Sequence, residues 1–145
     1  MDFDDFQFFE PAESYAVVDR HLPHWSQSGT ICFITWRTDD SMPKPVLDNW
    51  HMERELWLNK QGIVTPYKKV NKELERLPTE LLRRYRNFSS NLWHRYLDQG
   101  HGACVLAQPA LANIVSTSLR HFDGERYLLT DYVVMPNHVH VLAAF

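Results

Sequence analysis

Apolar positions along this chain keep two different rhythms, and the change from one to the other marks the elements. After Gly29 comes Thr30-Ile31-Cys32-Phe33-Ile34-Thr35-Trp36-Arg37, rich in β-branched and aromatic residues. It reads as a strand that is apolar on both faces, and therefore central in a sheet. Asp39 to Pro45 is a loop, and Leu47 to Lys60 predicts a helix with Leu47, Trp50, Trp57 and Leu58 on one side. A linker with Gly62 and Pro66 follows. From Pro78 to Gln99 the apolar residues Leu81, Tyr85, Phe88, Leu92 and Tyr96 recur every three or four positions, the stripe of an amphipathic helix that Gly100 stops. Ala103 to Leu106 predicts a short strand beyond the Gly100-His101-Gly102 turn. Pro109 opens a further helix, whose apolar face is Leu111, Ile114, Val115, Leu119 and Phe122 and which Gly124 closes. Two strands then flank a Pro136-Asn137 turn: Arg126 to Met135, and His138 to Phe145. Residues 1–28, with Pro11 and Pro23, hold no sustained period and read as an irregular leader.

With the helical stretch at about 47–99 set aside as an insertion after the first strand, the order is β-α-β-β. That predicts an α+β fold: the first part of a ferredoxin-like βαββαβ sandwich. The second helix and the fourth strand are expected beyond Phe145, so the domain 29–145 reads as incomplete at its C-terminus.

Charge changes the picture only when it is divided along the chain. The net charge of −3 by itself argues against a nucleic-acid partner. Asp2, Asp4, Asp5, Glu10, Glu13 and Asp19 crowd the first nineteen positions, with no Lys or Arg among them. From Lys60 to Arg95, nine basic residues face only Glu73, Glu75 and Glu80. Such a segment is either a solvated helix face or a phosphate-binding surface, since binding senses local potential. The acidic N-terminus lacks the basic region of a signal peptide, and no apolar run approaches the ~20 residues that span a bilayer. The expectation is a cytoplasmic protein without a membrane partner. Cys32 and Cys104 stand too far apart in sequence for a metal-binding Cys pair and predict free thiols.

The chemistry-bearing feature is His138-Val139-His140. On a strand, residues two apart share a face, so both imidazoles point the same way with their Cβ atoms ~7 Å apart. They are either two surface histidines or a pair converging on one cation. The apolar run Tyr132-Val133-Val134-Met135 before them favours the cation, because a polar group carried into a core needs a partner. His21-x-x-His24 has no matching second pair and does not make a zinc finger.

Tyr132 to Leu142, YVVMPNHVHVL, resembles the signature of the single-tyrosine HUH transposases (His, hydrophobe, His), and in particular the REP-associated tyrosine transposases. Four other stretches share the resemblance: Arg20 to Trp25 (RHLPHW), Phe33 to Arg37 (FITWR), Leu97 to Cys104 (LDQGHGAC) and Arg120 to Tyr127 (RHFDGERY). It runs from about Arg20 to the end of the chain.

The resemblance implies an enzyme that nicks and joins single-stranded or hairpin DNA. In that family, His138 and His140 would hold Mg²⁺ or Mn²⁺ and position the scissile phosphate. A tyrosine on a following helix would attack, leaving a 5′-phosphotyrosine and a free 3′-OH. The tyrosine and a third metal ligand have no counterpart among these residues. Tyr85, Tyr96, Tyr127 and Tyr132 lie on apolar faces and read as core. The 145 residues by themselves are therefore expected to be inactive. Arg83, Arg84, Arg86, Lys68 and Lys69 become candidate DNA contacts, with Arg37 a further one and Trp93 a base-stacking platform. The alternatives are a non-catalytic remnant that binds hairpin DNA and, further off, a small metallo-hydrolase using the same histidines. No residue pattern specifies the DNA sequence recognised or an oligomeric state.

Overall fold

The structure is a computed structural model and describes residues 16–19, 23–26, 29–64, 70, 74 and 76–145. Along the chain these form β1 (Ala16–Asp19), β2 (Pro23–Ser26), β3 (Ile31–Arg37), α1 (Lys44–Lys60), α2 (Thr79–Asp98), α3 (Pro109–His121), β4 (Leu128–Val134) and β5 (His138–Ala144). The architecture is α+β. Its residues fall into two compact units, Asp39–Cys104 and the described parts of Met1–Thr38 with Val105–Phe145. No helix among the described residues is long and apolar enough to cross a membrane. Cys32 and Cys104 are both free.

In the sheet unit, β3, β5 and β4 pair in that order, antiparallel throughout. The rhythm of β5 sorts its residues. Val139, Val141 and Ala143 are buried in a core with Val115 and Leu119 of α3, Leu106, and Tyr127, Leu129, Tyr132 and Val134 from β4 and its approach. His138, His140 and Leu142 take the other face. A bulge at Thr130 breaks the β4–β5 register between Leu129 and Asp131, and the Thr130 hydroxyl donates to the Leu142 carbonyl at 2.7 Å. The extra residue lets Leu129 and Tyr132, three apart, both serve the α3-facing core.

Three local expectations change. Among the described residues β5, not β3, is the middle strand of the three, and Phe33 (62% exposed), Ile34 (37%) and Trp36 (40%) on β3 carry open surface. The centre falls to β5, which buries Val139, Val141 and Ala143 on one face and His138 and Ala144 on the other, and the order of pairing is not written in one strand's composition. Residues 1–28 are not wholly irregular, since β1 and β2 pair as an antiparallel hairpin with Ala16 opposite Ser26. Four-residue strands are too short to display a period, and Pro23 stands at the first position of its strand, where a proline is tolerated. Ala103 to Leu106 is not a strand either; the chain makes one 3₁₀ turn at Val105–Ala107. Cys104 just before it has φ 50°, a left-handed conformation that ends any extended run.

In the helical unit, α1 begins at Lys44, earlier than Leu47, because Pro45 sits comfortably in a first turn. Side chains of α1 pack along α2. Trp50 meets Trp93 edge-on at 5.0 Å, Arg54 reaches Tyr85, and Trp57 stacks on Phe88 at 5.6 Å. Leu58, Val70 and Tyr85 are the buried centre, packed by Trp57, Ile63, Leu74 and Leu77. The predicted stripe on α2 holds: Tyr85 and Leu92 are buried, Leu81, Phe88 and Tyr96 are half-buried, and Leu97, outside the stripe, is buried as well. Gly102 is required by space as well as by φ: a Cβ there would lie 2.6 Å from the Asp40 carbonyl oxygen. That close approach lets the Asp40 carboxylate accept the Ala103 N–H at 2.6 Å and fix the turn.

Candidate metal centre

The turn before β5 is built to be rigid. Pro136 and Asn137 connect β4 to β5, with the Met135 N–H donating to the His138 carbonyl at 2.9 Å. The Asn137 carbonyl accepts both the Thr38 N–H (3.0 Å) and the Thr38 hydroxyl (3.1 Å), while the Pro136 carbonyl accepts the Leu106 N–H at 3.0 Å. Asn137 and His138 are themselves buried, 1% and 0% exposed. A buried turn with its polar groups matched aims the next side chain reproducibly.

His138 and His140 share one face of β5 and their Nε2 atoms are 3.0 Å apart, with the rings nearly perpendicular at 82°. Each ring is anchored by its other nitrogen. His138 Nδ1 bonds Asn137 Oδ1 at 2.8 Å, and His140 Nδ1 bonds Thr35 Oγ1 at 2.8 Å across the β3–β5 pairing, where Thr35 is the direct partner of His140. Phe33, two residues earlier on β3, stacks on the His140 ring at 5.3 Å and 18°. Beside it, an open groove of about 370 Å³ is lined by Phe33, Asp131, Val133, His140 and Leu142.

The two imidazoles are among the described side chains that could hold a metal ion. Two nitrogens each about 2.1 Å from one ion and at right angles around it lie roughly 3.0 Å apart, the separation found here. Histidine ligands commonly use one ring nitrogen for the ion and the other for an orienting hydrogen bond. Imidazole donors favour first-row transition ions over Mg²⁺.

The remaining described candidates are basic side chains on α2 and at the end of β3, where Arg37 is the direct partner of His138. Arg83, Arg84 and Arg86 are all exposed on α2. Arg83 makes a two-pronged bond to Glu80, which lowers the Glu80 carboxyl pKa through that hydrogen bond. Arg86 borders an apolar groove with Trp50, Tyr85, Ser89, Ser90 and Trp93. Arg37, at the end of β3, donates to the Thr38 carbonyl at 3.1 Å. Lys68 and Lys69 lie outside the described residues.

Three of the four described tyrosines have hydroxyls with structural work, and the fourth packs through its ring. Tyr127 donates to the Leu119 carbonyl. Tyr85 accepts from Arg54 Nε at 2.7 Å, and burial raises its pKa. Tyr96 donates to Glu53 at 2.5 Å, and that bond raises its pKa. Tyr132 packs into the α3-facing core. Sequence reasoning missed Thr35 and Asn137 as partners of the histidines. The signal was present in part, since both are polar residues set in otherwise apolar runs.

Comparison of the chain with protein-family models, with curated proteins and with solved structures returns no match in any of the three.

Proposed function

We propose that His138 and His140 form the metal-binding part of a centre that acts on the phosphodiester backbone of single-stranded or hairpin DNA. Within that class the reading is a REP-associated tyrosine transposase, a nicking and joining enzyme using Mn²⁺ or Mg²⁺. One observation carries it: two imidazoles on a central strand, each tethered through Nδ1, with Nε2 atoms 3.0 Å apart. The resemblance of YVVMPNHVHVL to the HUH signature supplies the family. The strand order β3-β5-β4, with α3 preceding the β4–β5 hairpin in the chain, supports a ferredoxin-like plan, which places the first and second strands on either side of the third.

A bound divalent ion would neutralise and polarise a scissile phosphate. The chain's own contribution is to hold the two imidazoles in a fixed relation, so that no reorganisation accompanies substrate arrival. Phe33 offers an aromatic surface next to His140, and Arg83, Arg84 and Arg86 offer exposed positive charge for the DNA backbone. No described tyrosine is assigned as nucleophile, because Tyr85, Tyr96 and Tyr127 are committed through their hydroxyls and Tyr132 is packed in the core. The commitment of these hydroxyls also favours, as a second reading, binding of hairpin DNA without cleavage.

The test is anisotropy of labelled hairpin and single-stranded DNA with and without Mn²⁺, paired with a denaturing gel. The proposal expects Mn²⁺-strengthened binding that His138→Ala and His140→Ala remove, and no covalent adduct from residues 1–145. Binding indifferent to both metal and the two substitutions overturns it; a protease-sensitive adduct from this chain overturns the assignment of its tyrosines.

A further inference from the structure

The tethers of the two histidines are unequal. Asn137 Oδ1 accepts the bond from His138 Nδ1, so the His138 ring carries its proton there and turns a lone pair on Nε2 toward His140. Two lone pairs do not rest 3.0 Å apart; a proton or a cation has to lie between them. With both rings neutral and no ion bound, His140 therefore carries its proton on Nε2 and donates it to His138. Its own Nδ1 is then an acceptor, and the Thr35 hydroxyl donates to it across 2.8 Å. With an ion between the Nε2 atoms, the His140 proton has to stand on Nδ1, and the same Thr35 oxygen has to accept.

We infer that Thr35 is a positioning residue that lets His140 exchange tautomers between the metal-free and metal-bound states without losing its anchoring hydrogen bond. This inference rests on the metal reading above. A hydroxyl is the simplest side chain that both donates and accepts through one atom. Thr35 is also well held. It lies directly opposite His140 in the β3–β5 register, and its β-branched side chain has restricted χ1 freedom in a strand. Phe33, stacked on the His140 ring, confines the ring to its plane while the proton changes nitrogen. Asn137 plays the fixed role: its carbonyl oxygen only accepts, which keeps His138 in one tautomer in both states. The exchange moves one proton from Nε2 to Nδ1 of the same ring through solvent, and the Thr35 hydroxyl rotates. No net charge or electron is transferred.

The experiment is ¹⁵N–¹H NMR of histidine-labelled full chain, titrated with Zn²⁺ as a diamagnetic probe. Wild type is expected to show His138 protonated on Nδ1 throughout, and His140 moving from Nε2–H to Nδ1–H as Zn²⁺ binds. Thr35→Val preserves the side chain's shape and removes the hydroxyl. It is expected to weaken Zn²⁺ affinity roughly 10–100-fold, as loss of a ligand's outer partner does. Thr35→Ser is expected to restore both the affinity and the tautomer exchange, an outcome that a packing role for Thr35 would not produce. Equal Zn²⁺ affinity in wild type and Thr35→Val overturns the inference and leaves the metal reading standing. His140 already on Nδ1–H before Zn²⁺ is added also overturns it. If neither histidine responds to Zn²⁺ in wild type, the metal reading itself falls, and the inference with it.

Discussion

The sheet unit and the helical unit differ in the polar side chains they bury. In the helical unit the charged pairs stay at the surface: Lys44 with Asp48, Arg83 with Glu80, Arg95 with Glu53. Its centre is Leu58, Val70 and Tyr85, and the Tyr85 hydroxyl is met by Arg54. The sheet unit buries Thr30, Asn137 and His138, whereas Ser41 is the only buried polar residue among the described residues of the helical unit. Burying a polar group costs about 1–3 kcal/mol if its partner is missing. A unit that carries such groups at its centre is therefore specified by its hydrogen bonds, whereas exposed ion pairs contribute roughly 0–1 kcal/mol each. The difference teaches where chemistry can sit. Fixed, matched polar groups are the arrangement a reactive site needs, and they lie on β5.

The contrast breaks most visibly at the helical core. Leu58→Ala, at a site 1% exposed, is expected to cost about 2–5 kcal/mol. Chemical denaturation followed by fluorescence of Trp50, Trp57 and Trp93 reads that loss directly, and a cost under about 1 kcal/mol would mean the aromatic packing is loose. Gly102→Ala comes next. The substitution forces a Cβ against the Asp40 backbone at φ +88°, and about 1–3 kcal/mol of strain is expected in the same unfolding experiment. Reversing Arg83, Arg84 and Arg86 together probes the exposed charge without touching either core. Affinity for hairpin DNA should fall roughly tenfold at moderate salt. The slope of log K against log salt should shrink by up to about 2–3, at ~0.7–0.9 for each phosphate that is no longer neutralised. An unchanged slope would return α2 to a plain solvated face.

The smallest effect is a pH dependence in the helical unit. Burial is the main cause that lowers the His51 pKa, with the Arg54 charge adding to it. A base whose folded pKa lies below its unfolded value favours the neutral form when folded. Its contribution is complete above about pH 6.5 and is lost as pH falls through the folded value. The denaturation midpoint of wild type should therefore drop relative to His51→Gln on acidification below about pH 6.5. Parallel curves would show that His51 is not held neutral.

Much of the element plan was legible because long runs keep one rhythm. The stripe Leu81, Tyr85, Phe88, Leu92 and Tyr96 marked α2, and His138-Val139-His140 marked a strand with both rings on one face. The pairing order was not legible. The composition of β3 reads as buried because Phe33, Ile34 and Trp36 are apolar, yet strand order depends on long-range partners that no local pattern encodes. The β1–β2 hairpin was hidden by strand shortness, and the 3₁₀ turn at Val105–Ala107 by the left-handed Cys104, a residue with no compositional preference for that conformation. Of the candidate site, the histidines were visible as a motif. Their tethers Thr35 and Asn137 were not, since 105 residues separate Thr35 from His140 and only the β3–β5 register joins them.

The central claim, that His138 and His140 together bind a divalent ion which meets DNA phosphate, is tested most directly by pulsed electron paramagnetic resonance of Mn²⁺ bound to the full chain. Two imidazole ¹⁴N couplings are expected per Mn²⁺, falling to one in His140→Ala, and a ³¹P coupling is expected to emerge when hairpin DNA is added. Mn²⁺ that shows no imidazole coupling, or couplings that persist unchanged in both His138→Ala and His140→Ala, would contradict the account.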